Sequence, residues 1–209
     1  MASSVSVAVF IDWQNAYKRA RYAFGLDGLP SERGNISPLA LAQALAAGRD
    51  RGSDGVLVRV EIHRGLPSNR RDRVGYGATR AQSTAWIRED PSIVIPCLRP
   101  LRYDPLDDQA PPVEKGIDVQ LALNASEWAI TARCDVAIVF SHDTDLEPAI
   151  EFIARMTQPS HVETASWRSD HFSSRLKPVY GVHHHYLDEA TFRSMETPIN
   201  YAYKGQRDG

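Results

Sequence analysis

Two aspartates one residue apart, Asp143 and Asp145, directly follow the apolar run of residues 136–140. Asp12 follows a second apolar run, residues 5–11, in the same way. Neighbouring carboxylates raise one another's pKa, so they stay ionised together only beside a cation. Mg²⁺ and Mn²⁺ are hard ions that prefer oxygen ligands, and such an ion can promote in-line phosphoryl displacement by water. The pattern therefore indicates a candidate site for Mg²⁺ or Mn²⁺.

Asp118, at the start of a predicted helix, is a fourth candidate. If the strands are parallel, this helix start and the ends of the apolar runs lie at one edge of the sheet, so the four carboxylates converge on one crevice. Helix capping is the alternative role for Asp118 or Asp145 taken singly. The joint placement of Asp12, Asp143 and Asp145 directly after apolar runs is less easily explained by capping.

The elements that must position these residues alternate along the chain. Strands are predicted at residues 5–11, 56–62, 93–98, 136–140, 162–166 and 182–187. Helices are predicted at residues 15–24, 39–47, 78–88, 118–131 and 146–156. Such alternation is typical of a mainly parallel sheet with helices on both faces, which predicts a three-layer α/β fold. One domain is expected over residues 1–196, followed by a C-terminal tail at residues 197–209.

Three segments of the chain resemble the NYN domains, a branch of the PIN-like ribonucleases. They are FIDWQN (10–15), EKGIDVQLAL (114–123) and DVAIVFSHDTDLEPAI (135–150), and the resemblance covers roughly residues 5–190. It implies a Rossmann-like α/β/α sandwich and a nuclease that uses Mg²⁺ or Mn²⁺ to hydrolyse RNA. The acidic positions of the family fall on Asp12, Asp118, Asp143 and Asp145, which are therefore the expected catalytic and metal-binding residues. Its polar companion after the first strand falls on Asn15, which is therefore an expected substrate-binding residue.

The chain departs from the family pattern at three positions. His142 stands where family members often have a small glycine, and Leu146 stands where they often have phenylalanine. Many members carry an acidic residue where this chain has Asn124. A missing carboxylate there would weaken a second metal site, so a two-metal mechanism is placed in doubt more than the fold is.

Cationic side chains are expected to hold RNA phosphates at the same edge of the sheet. A basic loop is predicted at residues 64–75, and a proline-rich irregular segment at residues 99–113. Arginine suits phosphate because its guanidinium donates two parallel hydrogen bonds. Tyr76 and Tyr103 could stack on unpaired bases. The alternative is a solvated basic loop, and Lys115 could instead pair with Glu114 or Asp118. The predicted phosphate-binding residues are Arg64, Arg70, Arg71, Arg73, Arg99, Arg102 and Lys115.

Composition limits the other classes of function. The net charge of −2 over 209 residues excludes a generally basic nucleic-acid binder, so an RNA surface must be a local patch. Neither the N-terminus nor any apolar run has the pattern of a signal peptide or a membrane span. Cys97 and Cys134 are expected to be reduced, buried thiols, which agrees with a cytoplasmic protein. RNA is the expected partner, and a homo-oligomer or a protein partner stays open.

Other chemistries fit the residues less completely. His142 beside Asp143 has the form of an HD-type phosphohydrolase motif, but that chemistry needs a further upstream histidine on a helix. An apolar strand that ends in D-x-D also occurs in glycosyltransferases that hold a nucleotide-sugar through Mn²⁺, and that hypothesis gives Asn15 no role. A catalytically weak or inactive RNA- or protein-binding module remains open because of Asn124 and His142.

Overall fold

The computed structural model describes residues 4–49, 55–107, 109–173, 176 and 181–204. Within these residues the strands are β1 (Val5–Asp12), β2 (Gly55–Leu66), β3 (Val94–Pro100), β4 (Val136–Phe140), β5 (Val162–Trp167) and β6 (His183–Leu187). The α-helices are α1 (Trp13–Ala23), α2 (Pro38–Ala47), α3 (Arg73–Glu89), α4 (Ile117–Ile130), α5 (Glu147–Met156), α6 (Glu189–Ser194) and α7 (Tyr201–Lys204).

The strands form a single sheet in the order β3-β2-β1-β4-β5-β6, and every neighbouring pair is parallel. The predicted α/β class with a Rossmann-like parallel sheet is confirmed. The chain first builds outwards from β1 to β3 and then returns to place β4 on the other side of β1. The strand order therefore reverses between β1 and β4, and ligands of such sheets bind outside the strand ends at this switch point.

Two hydrophobic cores, one on each face of the sheet, complete the three layers. Along β1, Val7, Val9 and Ile11 belong to one core, while Ala8 and Phe10 belong to the other, because side chains alternate along a strand. The first core is covered by α1, α2, α3 and α6, and the second by α4 and α5. Asp12 continues the series of Ala8 and Phe10, so its side chain leaves the sheet on the side of α4.

Local sequence explains where the helices begin. The Ser37 side chain accepts a hydrogen bond from the Ala40 N–H, and Pro38 occupies the first turn of α2, a pair of residues typical of a helix start. Asp12 caps α1 and Asp72 caps α3 in the same manner. The cap on α1 fixes the turn between β1 and α1, and that turn forms one wall of the switch-point crevice.

The predicted basic loop at residues 64–75 is wrong at both ends. β2 extends to Leu66, because Gly65 pairs with Arg99 and Leu66 with Pro100 on β3. Arg64 is therefore a strand residue. Helix α3 begins at Arg73, so the true loop is short.

Residues 197–204, which belong to the predicted C-terminal tail, pack against the domain. Tyr201 is buried, α7 contacts α3, and the Ile199 carbonyl accepts a hydrogen bond from Asn35 at 3.1 Å. The division of the chain at residue 196 stays a prediction. In the described residues, no helix has the length and apolar character needed to cross a membrane. Cys97 and Cys134 are both free thiols.

Candidate functional site

A cavity of about 390 Å³ lies at the switch point, between the ends of β1 and β4. Three carboxylates line it: Asp12 from the end of β1, Asp143 from just after β4, and Glu114 from the segment before α4. Lys18 and Arg19 of α1 line the same cavity. Acidic and basic side chains therefore meet in one depression at the edge of the sheet where the sequence places the site.

Ser141 joins the two aspartates of this cavity. Its hydroxyl donates to Oδ2 of Asp12 at 3.1 Å and accepts from the backbone N–H of Asp143 at 3.0 Å. Ser141 is completely buried, whereas the two aspartates that it joins are partly exposed. One side chain thus sets the position of the Asp12 carboxylate and the path of the chain that carries Asp143.

Asn15 makes a second connection between the two strand ends. Its backbone N–H donates to Oδ1 of Asp12 at 3.1 Å, and its side-chain oxygen accepts from the His142 N–H at 2.9 Å. The residue predicted to bind substrate therefore also positions the turn after β4. Asn15 lines the cavity as well.

The environment of Asp12 favours its protonated form. Burial raises the pKa of this carboxyl from its ordinary 3.8 to about 6, against the hydrogen bonds from Asn15 and Ser141. The nearby charges of Glu114 and Asp143 act in the same direction as burial. Three neighbouring carboxylates repel one another, and a bound cation would relieve that repulsion. The electrostatics of the site therefore favour cation binding.

Glu114 is the carboxylate of this cavity that sequence reasoning did not place in the metal site. It lies inside the EKGIDVQLAL segment, and membership of that segment was the available signal. Its Oε1 accepts a hydrogen bond from the Gly65 N–H at 3.0 Å, which fixes the residue against the end of β2. In the described residues Lys115 forms no ion pair, so the alternative pairing with Glu114 or Asp118 is not seen.

Asp118 and Asp145 lie outside the lining of this cavity. Asp118 is in the first turn of α4 and partly buried, while Asp145 is exposed in the short turn Thr144–Leu146. Helix α4 contacts that turn, so the two residues come from adjacent elements. Their metal-binding role stays a prediction.

The capping roles differ from those considered for the sequence. Asp143 accepts a hydrogen bond from the Asp145 N–H at 3.1 Å and caps the turn, and Asp12 caps α1. Helix α4 instead begins after Gly116, which has a left-handed φ of 72° and no side-chain cap. Capping therefore falls on Asp12 and Asp143. One oxygen of each serves the cap, and the second oxygen of Asp12 accepts from Ser141.

The predicted phosphate-binding residues are spread over several surfaces. Arg99, whose side chain lies beside Gly116, is exposed, as are Arg70, Arg73, Arg102 and Lys115. Arg71 is tied to the proline-rich segment: it donates to the Asp104 carbonyl at 3.1 Å and lies over the Tyr103 ring. The Tyr103 hydroxyl accepts from the Ser68 N–H, which leaves this tyrosine a structural role. Arg64 lines a different cavity.

His142 faces the core rather than the crevice. Its Nε2 accepts a hydrogen bond from the Trp167 N–H at 3.0 Å, and its ring lies near Phe140 and Phe172. Burial, together with the positive charges of Arg19 and His184, lowers its pKa to about 3. A neutral, inward-facing histidine does not serve an HD-type site. The His142 ring packs in the core, so the side chain does not occupy the cavity.

Asn124 belongs to a polar cluster beneath the crevice. It donates to Oε2 of Glu61 at 2.7 Å, and Arg59 pairs with Oε1 of the same residue at 2.8 Å. Burial opposes ionisation of Glu61, but hydrogen bonds from His63, Asn124 and Arg59 outweigh it and lower its pKa to about 2. A carboxylate is thus present near Asn124, although it comes from β2 and already has cationic and amide partners.

Glu61, His63 and Cys97 are also the one group in the described residues whose potential metal-ligand atoms all lie within 4.8 Å of one another. Burial, followed by the charge of Glu61, raises the pKa of the Cys97 thiol to about 12. A protonated thiol and an arginine-paired carboxylate form a stable network without an ion. Asp12 and Asp143 at the switch point are partly exposed to solvent, whereas Glu61 and His63 are buried.

Comparison with known proteins adds the family and the fold. The family model described as NYN domain matches residues 6–178. The crystal structure of a protein of unknown function from Vibrio parahaemolyticus RIMD 2210633 is similar, with a TM-score of 0.55 and 18% sequence identity. That likeness covers 90% of this chain and 98% of the other, and it supports the fold alone. The comparison with curated proteins gives no match.

Proposed function

Because the chain belongs to the NYN domain family, with a PIN-like nuclease fold, we propose that it is a divalent-metal-dependent ribonuclease that acts at the switch-point cavity. One observation carries the proposal: Asp12, Asp143 and Glu114 share that cavity, and the pKa of Asp12 is raised to about 6. The three carboxylates place negative charge at the strand ends, where parallel sheets bind their ligands.

The residues fit Mg²⁺ or Mn²⁺. All the candidate ligands are carboxylate oxygens, which these ions prefer over softer donors. Asp12 and Asp143 would hold the ion, and Glu114, Asp118 and Asp145 would complete the ligand set or orient the attacking water. A bound ion of this kind stabilises charge on phosphoryl oxygens and lowers the pKa of water.

The other groups of the cavity suit an RNA strand. Lys18 and Arg19 are exposed cations on its rim and would bind phosphate oxygens on either side of the scissile bond. Tyr22 also lines the cavity, is exposed, and offers a flat ring on which a base could stack. Ser141 and Asn15 hold the Asp12 carboxylate still, so it need not reorganise during the reaction.

The test is cleavage of mixed cellular RNA in Mn²⁺, Mg²⁺ or EDTA by the wild type and by Asp143→Asn. We expect cleavage only with a divalent ion and a loss on the order of a hundredfold in the variant. Asp27→Asn is the matched control, because Asp27 is exposed in a loop and outside the cavity. RNA that is bound in EDTA but cut under no condition would show a non-catalytic binding module instead.

A further inference from the structure

A second cavity, of about 290 Å³, lies on the opposite side of the N-terminal turn of α1. It is lined by residues of α1, β2, α3 and the C-terminal segment, and Gln14 lines both this cavity and the switch-point cavity. The two depressions are therefore neighbours with a shared wall. The volume is near the lower end for small-ligand pockets, roughly 300 Å³.

Arg64 supplies a positive charge to this second cavity and forms no ion pair within the described residues. Its guanidinium donates to Oε1 of Gln82 and lies over the Trp86 ring, and no described carboxylate comes within ion-pair distance. Burial lowers the pKa of Arg64 to about 10, with the charge of Glu114 opposing that effect. A cation in this position gains from an anionic ligand, because desolvated charge without a counter-ion is costly.

A chain of side-chain amides holds Arg64 in place. Gln82 accepts from Arg64 and donates to Oδ1 of Asn35 at 3.0 Å, and Asn35 donates to the Ile199 carbonyl at 3.1 Å. Each amide has its orientation fixed by the next. The guanidinium is therefore presented at a defined position before any ligand arrives, which limits the entropy lost on binding.

The remaining walls suit a nucleobase. Trp13, Tyr17 and Tyr201 supply aromatic surface, and Glu32 is the one carboxylate among the lining residues. Aromatic rings bind any base through stacking, and a carboxylate can accept hydrogen bonds from exocyclic amino groups. A fixed cation, aromatic walls and one acceptor together match a nucleotide better than a purely apolar ligand.

We propose that this second cavity binds one nucleotide of the RNA strand, next to those held at the switch point, with its phosphate on Arg64. This inference rests on the proposed function for the origin of the nucleotide, since the strand would pass over Gln14 from one cavity to the other. The cavity would anchor the substrate while the carboxylates act on a neighbouring phosphate.

The experiment measures binding of adenosine 5′-monophosphate and uridine 5′-monophosphate in EDTA, with adenosine and uridine for comparison. Tryptophan fluorescence reports binding, because Trp13 lines the cavity. Arg64→Gln removes the charge and keeps an amide donor for Gln82. Ala78→Trp fills the cavity from α3 and leaves Arg64 in place. Arg88→Gln, an exposed position near the end of α3, is the charge-matched control.

We expect saturable binding of at least one monophosphate, and binding weaker by about tenfold for its nucleoside and for both cavity variants. Absent binding, or equal binding by the wild type, Arg64→Gln and Ala78→Trp, would overturn the proposal. Because the assay contains no metal, it is independent of cleavage. If the protein also cuts RNA, Arg64→Gln should raise KM with little change in kcat, whereas Asp143→Asn should lower kcat.

Discussion

Ser141 donates its hydroxyl hydrogen to Oδ2 of Asp12 at 3.1 Å, across the point where the strand order of the sheet reverses. The bond joins the last residue of β1 to the first residue after β4, which are 129 positions apart in the chain. It aims a carboxylate with a raised pKa into a cavity that two further carboxylates line. The stability of the metal-free protein and the metal affinity of the site should both depend on this residue pair.

The first prediction concerns Asp12 and pH. Its folded pKa is raised, so the folded state binds a proton more tightly than the unfolded state between about 3.8 and 6, and stability falls as pH rises through that window. Asp12→Asn removes this loss and keeps a good helix cap. The substitution also removes one of the hydrogen bonds that Asp12 accepts. We therefore expect the unfolding free energy of Asp12→Asn to be higher by about 1 kcal/mol at neutral pH in EDTA.

Urea unfolding of both proteins across the acidic and neutral range provides the measurement. Asp12→Asn should gain stability relative to the wild type as pH rises through the window, and below the window it should be the less stable protein, because only the lost hydrogen bond remains there. A constant difference at every pH would mean that Asp12 ionises as an ordinary surface aspartate does.

The second prediction concerns RNA binding and salt. Lys18 and Arg19 line the switch-point cavity, so replacing both by Gln should weaken RNA binding and reduce the slope of log K against log salt by about 1.4, roughly 0.7 for each phosphate that is no longer neutralised. The control is Arg88→Gln with Arg155→Gln, since the last turns of α3 and α5 lie at the opposite edge of the sheet. Equal slopes for the two double variants would exclude the α1 cations from the RNA path.

The third prediction concerns a buried ionic network between β5, β6 and the segment that follows α2. Glu163, which has no exposed surface, bonds to Arg49 at 3.1 Å and to His185 at 2.7 Å. Burial opposes its ionisation, but hydrogen bonds from His185 and Arg49 and their charges hold its pKa below the ordinary value. Glu163→Gln would leave Arg49 buried without a counter-ion and should cost about 3 kcal/mol of unfolding free energy.

Chemical denaturation measures that loss, and Glu151→Gln on the exposed face of α5 is the matched control. The pKa of Glu163 is lower in the folded state than its ordinary value of 4.5. Its ionised form therefore contributes to the unfolding free energy above pH 4.5, and this contribution is lost as the pH falls below that value. An effect of Glu163→Gln no larger than that of Glu151→Gln would show that the network contributes little.

The fourth prediction concerns Asn124, which donates to Oε2 of Glu61 at 2.7 Å. Asn124→Asp would place a carboxylate against an ionised one, so we expect a loss of about 1–3 kcal/mol at neutral pH in EDTA. The loss should shrink in mild acid, where the introduced carboxyl is protonated and can donate to Glu61. Thermal unfolding at two pH values measures it, and a variant as stable as the wild type at neutral pH would contradict the hydrogen bond.

The sequence predicts those parts of the molecule in which local pattern and tertiary position agree. β4 matches its prediction because five consecutive apolar residues are all buried between two layers of helices. Asp12 and Asp143 meet at the predicted edge because parallel strands bring their carboxyl ends together. The cap at Ser37 and the start of α2 follow from two adjacent residues alone.

The sequence does not reveal features that depend on partners from distant elements. The polar residues His63 and Arg64 suggest that the strand ends at residue 62, yet β2 continues to Leu66, with His63 bonded to Glu61 and Arg64 donating to Gln82 of α3. The contribution of Glu114 to the cavity depends on a hydrogen bond to Gly65 that no local pattern indicates. The packing of Tyr201 against α3 could not be predicted for the same reason, because the surface that Tyr201 contacts exists only in the folded domain.

The central claim is that Asp12 and Asp143 hold a divalent cation, and calorimetric titration of Mn²⁺ into the metal-free protein tests it most directly. Burial raises the pKa of Asp12 to about 6, so binding should strengthen as pH rises through that value, because the ion displaces a proton. We predict saturable binding by the wild type and by Asp27→Asn, and affinity lower by about tenfold or more in Asp12→Asn and Asp143→Asn. Equal Mn²⁺ affinity in all four proteins would contradict the claim.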